Sequence, residues 1–257
     1  MSSSTVLWRP SPESIENSRM EALRRTLQKA HPEKDIRDYE ALHRFSVQHS
    51  DLFWPALLEF LEIKHTGSVV PTWDGHEMPA VRAFPNITLN YAENLLAPAE
   101  RTPGKTALTA ISESRAPIRL TYGELKMKVA RFAQRLRQLG IKKGDRVAGI
   151  LPNGPEAVIA MLATSSIGAL WSSCSPDFGV QGILDRFGQI EPTLLLGVDA
   201  YRYAGKEHDC KKRLSHIAQT IASIEHLVLI PYLNPESSTD DFGAGSATKR
   251  WLWEDFL

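Results

Sequence analysis

Apolar positions recur along the chain with two different rhythms, and the change falls near residue 104. Before it the spacing is helical and interrupted. Ser11-Pro12-Glu13 marks a helix start, because proline suits the first helical position, and Ile15, Leu23 and Leu27 follow near one face. Ser50 is placed to cap a second helix. Its run Leu52, Phe53, Trp54, Leu57, Leu58, Phe60 and Leu61 is apolar nearly all round, so burial is expected. From Gly67 to Pro85 the punctuation by Pro71, Gly75 and Pro79 is too dense for a regular element. Leu89-Asn90-Tyr91-Ala92-Glu93-Asn94-Leu95-Leu96 resumes helical spacing, and Pro98 and Pro103 bracket a boundary.

Beyond about Lys105 short apolar runs alternate with amphipathic stretches. Thr106–Ile111 and Ile118–Leu120 read as short strands around a polar turn. Thr121-Tyr122-Gly123-Glu124 is a capping box, in which the threonine hydroxyl takes an orphan amide and the glutamate reaches back to the cap. Leu120 and Leu125 are spaced for a hydrophobic staple. Val129, Phe132, Leu136 and Leu139 continue the stripe, and Gly140 supplies a left-handed stop. Further strands are expected at Arg146–Leu151, Ala169–Ser172, Thr193–Gly197 and His226–Ile230. Helices are expected between them, from Pro155 to near Gly168, from Phe178 to Ile190 and from Lys211 to Ile221. This alternation predicts an α/β fold, a mostly parallel sheet with helices on both faces. The chain then divides into a mainly helical N-terminal cap, residues 1–103, and an α/β subdomain, residues 104–257. Asn234 to Lys249 is polar and Gly/Ser-rich and reads as a mobile loop, and Trp251–Leu257 as a helix just beginning.

Composition narrows the partners. With 257 residues, 42% of them hydrophobic, the chain has ample material for a core. Thirty basic and thirty acidic residues leave zero formal net charge, so no whole-protein field favours nucleic acid or a membrane surface. Cys174 and Cys210 lack CxxC spacing and are expected as free thiols in a reducing compartment. With no signal-like N-terminus and no run near the roughly 18 apolar residues of a membrane span, a cytoplasmic location is expected.

Candidate chemistry centres on Trp171-Ser172-Ser173-Cys174-Ser175-Pro176-Asp177-Phe178, where three serines and a cysteine follow an apolar run. A nucleophile elbow needs glycines two residues either side of the serine, and these positions lack them. The plainer reading is a strand end, a turn and a helix cap. In an open α/β sheet ligands collect beyond the carboxyl ends of the strands, which makes this segment a candidate binding loop. The eight histidines lack paired metal spacing, and His208-Asp209-Cys210 would need distant partners, so no metal site is expected. Phe242–Lys249 has closely spaced glycines but no preceding strand and no GxxxxGK[ST], so it reads as a linker. Tyr201-Arg202-Tyr203-Ala204-Gly205-Lys206 sets two cations and two rings at the same sheet edge. It is either a phosphate- and base-binding segment or a solvated surface loop.

Taken together, the segments Leu89–Leu96, Leu120–Leu125, Gly144–Ala148 with Leu151-Pro152-Asn153, Ile167–Gly179, Arg186-Phe187 and Tyr201–Lys206 resemble the N-terminal part of the acetoacetyl-CoA synthetases. These are a branch of the superfamily of AMP-forming acyl-CoA synthetases, adenylation domains and luciferases. The resemblance implies a ligase using ATP, Mg²⁺ and coenzyme A, with acetoacetate as the acid. It places Ser175, Pro176 and Asp177 along the coenzyme A path and Arg202 and Lys206 on its nucleotide phosphates. The acetyl-CoA branch has glycines where Pro176 and Asp177 stand, and Lys206 lies near rather than on an arginine. An aspartate beside a polyanion is unfavourable unless it accepts from an amide or hydroxyl. The family's phosphate loop, adenine-binding segment, ribose-binding aspartate and C-terminal lysine-bearing domain have no match here. The chain is therefore expected to be the N-terminal portion of an enzyme, with no catalytic residue, no ATP or metal site and no tight ligand of its own, partnered by the rest of that enzyme. Two other readings stay open: a non-catalytic α/β binding or regulatory module, and a ligase for another short-chain acid.

Overall fold

The computed structural model describes residues 7–75, 77–242 and 248–257. Most of the Phe242–Lys249 linker expectation lies outside the described residues. The chain divides into two compact units between Leu89 and Asn90.

The first unit is helical, with helices Pro12–Glu16, Arg19–Ala30, Tyr39–Gln48 and Ser50–Phe60. Ser18 and Asp38 cap the second and third by accepting the amides of Glu21 (3.1 Å) and Ala41 (2.8 Å). Leu23, Leu27, Ile36, Leu42 and Phe45 form its core. Ile15 sits on a separate short helix and is exposed, because the turn at Asn17-Ser18 breaks the expected stripe. Ser50 is not a cap: it is the first helical residue, and its hydroxyl accepts the Trp73 indole N–H at 3.1 Å. Nor is that helix buried. None of its residues is fully enclosed and Trp54 is 41% exposed, since the small unit covers it on one side only. Among the described residues between Gly67 and Pro85, Trp73–Asp74 pairs with Arg82–Ala83, two residues each, and Gly67 itself pairs with Ile87.

The second unit is built on five parallel strands, β1 (Arg146–Ile150), β2 (Leu170–Cys174), β3 (Leu194–Val198), β4 (His226–Ile230) and β5 (Lys249–Leu252). Their spatial order is β5-β4-β3-β1-β2. The helices α1 (Tyr122–Gln138), α2 (Pro155–Ser166), α3 (Val180–Ile190) and α4 (Lys211–Thr220) pack as two pairs, α1 with α2 and α3 with α4. The fold is therefore α/β, with a doubly wound parallel sheet. The capping box at the start of α1 is complete: the Glu124 amide donates to Thr121 Oγ1 (3.2 Å) and the Thr121 amide to Glu124 Oε2 (2.8 Å). Leu125, Val129, Phe132 and Leu136 face the core, and Gly140 takes the left-handed conformation at φ 86°. Fully buried Leu194, Leu195 and Leu196 make β3 apolar on both sides, as a central parallel strand must be.

Several elements differ from expectation. Thr106–Ala110 and Ile118–Thr121 pair antiparallel as a hairpin outside the parallel sheet. The strand after α2 runs through Cys174, so Ser173 and Cys174 extend it beyond the expected end at Ser172. The chain's end is the fifth strand followed by a 3₁₀ turn, Trp253–Phe256, with Trp253 and Phe256 packed near Phe132 at ring distances of 5.0 and 4.7 Å. Helix Tyr91–Leu96, ahead of the Pro98–Pro103 bracket, belongs to this unit. Ala92 and Leu96 are buried in its core, and the Asn90 amide group donates to the Ser165 carbonyl at 2.9 Å.

Candidate functional site

The order β3-β1-β2 gives the candidate segments a shared place. Chain reversal of this kind, with β2 on one side of β1 and β3 on the other, creates the crevice where α/β sheets bind ligands, beyond the carboxyl ends of the strands. Ile150 of β1 lies in register with both Cys174 of β2 and Gly197 of β3. The segments leaving β2 and β3 therefore emerge on either side of β1.

After β2 the chain turns at once. The Phe178 amide donates to the Ser175 carbonyl at 3.2 Å, Pro176 is buried inside the turn, and Asp177 projects outward before α3 begins at Val180. Burial pushes the Cys174 thiol up to about 11, which keeps it in its weakly nucleophilic neutral form at neutral pH. After β3 comes a hairpin rather than a loop: Ala200–Tyr203 pairs with Lys206–Asp209. Its tip, Ala204 (φ 49°) and Gly205 (φ 74°), has the two successive left-handed residues that a tight two-residue turn needs. Tyr201 is only 7% exposed, whereas Arg202 to Lys206 are all exposed, so the segment is a solvated hairpin with one buried residue at its base.

Alternation along the ribbon sorts the expected ligands. Arg202 stands opposite Glu207 and Lys206 opposite Tyr203, so the two cations lie on different faces of the hairpin. Both are exposed, and among the described residues neither forms an ion pair. Tyr201 faces the other way from Arg202 and joins the turn. Its hydroxyl donates to Asp177 Oδ1 at 2.7 Å, while Ser175 Oγ donates to Asp177 Oδ2 at 2.9 Å. The Tyr201 bond, then the Ser175 bond, holds the Asp177 carboxyl below the usual carboxylate range. Burial, then the neighbouring Asp177, pushes the Tyr201 phenol up to about 12. Ser175, Asp177 and the hairpin base thus form one hydrogen-bonded group, whereas Arg202 and Lys206 stand apart at the ribbon's outer part.

Three further groups hold this edge. His208 stacks on Tyr201 at 5.0 Å and 18°. Arg213 of α4 donates to the Phe178 carbonyl (3.3 Å) and to Cys210 Sγ (3.1 Å). The Glu113 carboxylate accepts the tip amides of Ala204 (3.3 Å) and Gly205 (3.2 Å). None was readable as a contact in the sequence. At the carboxyl end of β3, Asp199 is 1% exposed and accepts the amides of Tyr232 (2.6 Å), Leu233 (3.1 Å) and Asn234 (2.8 Å) and the Ser237 hydroxyl (3.1 Å). This orders Tyr232–Ser237, so the start of the expected mobile loop is pinned. Among the described residues no three His, Cys, Asp or Glu side chains converge on a metal position. None of the described helices is long and apolar enough to cross a membrane.

Comparison with known proteins reaches the same sheet. The AMP-binding enzyme family profile matches residues 95–251. The chain belongs to this family. Acetoacetyl-coenzyme A synthetase of Rhizobium meliloti (strain 1021) is 40% identical over 84% of this chain and 32% of its own length. Acetoacetyl-CoA synthetase of Danio rerio is 40% identical over 92% of this chain and 35% of its own. The solved acetoacetyl-CoA synthetase from Streptomyces lividans superposes with a TM-score of 0.87 at 36% identity, covering 98% of this chain and 38% of that one. The chain spans about a third of the length of the curated relatives it matches.

Proposed function

We propose that this chain forms the N-terminal third of an ATP-dependent acetoacetate:CoA ligase. The observation that carries the reading is the 40% identity to acetoacetyl-CoA synthetases, which runs through 92% of the chain rather than one motif. In the proposed reaction an acetoacetate oxygen attacks the α-phosphorus of ATP and pyrophosphate leaves. The thiol of coenzyme A then attacks the acyl carbon and AMP departs with the bridging oxygen. This chain contributes the coenzyme A entrance: the turn Ser175-Pro176-Asp177 and the hairpin cations Arg202 and Lys206. Two features support that placement. The exposed cations can meet phosphate oxygens without breaking an existing pair. The Asp177 charge is already met by two hydroxyl donors, which reduces its repulsion of a polyanion.

ATP and acetoacetate are assigned to the remaining part of the enzyme. Magnesium would enter with the nucleotide phosphates, in that remaining part. By itself the chain is expected to be inactive and to hold neither nucleotide tightly, as a protein of the cytoplasm with free thiols. The test is acetoacetate-dependent exchange of pyrophosphate into ATP, by the chain alone and by a chimera in which it replaces the matching 38% of the Streptomyces lividans synthetase. Exchange is expected only from the chimera. Exchange by the isolated chain, or a folded but inert chimera, would overturn the proposal.

A further inference from the structure

We infer that Tyr201 is a positioning residue for coenzyme A: its phenol, seated on Asp177, locks the hairpin that carries Lys206 to the turn that leaves β2. The inference rests on the ligase reading above.

The hairpin cannot hold its own place. A two-stranded ribbon is marginal in water, and here all four residues of the second strand are exposed, as are Arg202 and Tyr203 of the first. Its base is therefore what anchors it, where Cys210 and Tyr201 are both buried and Tyr201 is bonded to the turn after β2. The bond to Asp177 spans 24 residues of sequence and joins two segments that emerge on opposite sides of β1. A hydrogen bond to a carboxylate is among the stronger kinds, and this one is half shielded from water. Both Asp177 oxygens are committed, Oδ1 to Tyr201 and Oδ2 to Ser175. Asp177 is thus the foot of a brace rather than a group reaching for ligand. Glu113 steadies the tip through the Ala204 and Gly205 amides, but at 3.3 and 3.2 Å and in exposed surroundings. Among the described residues the hydrogen bond that the Tyr201 phenol makes is the one to Asp177, while His208 stacks on its face.

A ligand that bridges the turn and the hairpin must find both at a fixed separation. If the ribbon swings, ordering it again is charged against binding of that ligand and of no other. Two measurements test this. In the isolated chain, amide hydrogen exchange of residues 200–209 should quicken about tenfold in Tyr201→Phe, with β1 and β3 keeping their protection. Unchanged hairpin exchange overturns the brace whatever the chimera does. In the chimera, Tyr201→Phe should raise KM for coenzyme A about tenfold relative to KM for ATP. Asp177→Ala should do the same, and the double variant should be no worse than either single one, as for two ends of one bond. Equal rises in both KM values, or additive losses, would reduce Tyr201 to ordinary packing. A wild-type chimera without exchange activity would instead defeat the ligase reading and the inference with it.

Discussion

Replacing Asp199 by alanine should destabilise the α/β unit by about 3 kcal/mol. The side chain is 1% exposed, and four donors converge on it: the amides of Tyr232, Leu233 and Asn234 and the Ser237 hydroxyl. Alanine removes the acceptor and leaves the donors. A buried donor without a partner costs about 1–3 kcal/mol, and Tyr232 and Ser237, both buried, bear that cost in full. Leu233 and Asn234 are closer to solvent and recover part of it from water. The two full costs come to about 2–6 kcal/mol, and release of a buried carboxylate offsets part of that, leaving about 3. Asp199→Asn should do little better, because its amide turns two donor hydrogens toward groups that are themselves donors. Thermal unfolding followed by circular dichroism is the assay. At this domain size the expected loss corresponds to a midpoint lower by about 6–12 °C. Hydrogen exchange should show Tyr232–Ser237 losing protection first. A midpoint within about 2 °C of wild type would show that the cluster adds nothing net and that other contacts hold the segment.

Three other outcomes are expected. His226 is buried, accepts the Trp251 indole N–H at 3.3 Å and is held below its ordinary 6.5 by burial, so the unfolded chain takes up its proton first. Stability should be complete above pH 6.5 and fall as pH drops below it, and this part of the pH dependence of urea midpoints should vanish in His226→Leu. Cys174, raised to about 11, should react with iodoacetamide at neutral pH at least about tenfold more slowly than an unhindered cysteine, and rapid labelling of the native chain would contradict that environment. In Gly197→Ala the new methyl would sit 2.3 Å from Leu214 Cδ2 in a closed core, costing about 1–3 kcal/mol. The same substitution should cost clearly less in a Leu214→Ala background, and an equal cost in both would rule out the clash.

What the sequence made legible follows the range of the interactions. Helix α1 was readable to its ends because cap, staple, stripe and left-handed stop are local and agree with one another. The parallel strands were readable because burial on both faces leaves nearly unbroken apolar runs. β5 was not, since Lys249-Arg250-Trp251-Leu252 is half exposed and acquires strand geometry only by pairing with β4. The helix Ser50–Phe60 misled in the opposite sense. Its apolar surface signals partners to be covered by, and composition does not say how much of it a small unit can cover.

The site was legible as a list and not as an arrangement. Ser175, Asp177, Tyr201 and Lys206 stand out by residue type, but only the β3-β1-β2 order explains why residues 24 apart share a hydrogen bond. That order also resolves the difficulty posed by a carboxylate beside a polyanion. A free Asp177 would repel phosphate and weaken any coenzyme site at this edge. With Tyr201 and Ser175 donating to its two oxygens, the charge is partly met and serves to join two segments. Pro176 completes the logic: buried in the turn, with φ set by its ring, it limits the directions in which the next residue can leave. Where glycines would allow the turn to flex, proline and aspartate make it stiff and tie it to the hairpin. Pro176→Gly should accordingly loosen the turn while leaving the Tyr201–Asp177 bond able to form, a smaller effect on hairpin protection than Tyr201→Phe. The reverse ranking would mean that the turn's own stiffness, and not the brace, sets the geometry of this edge.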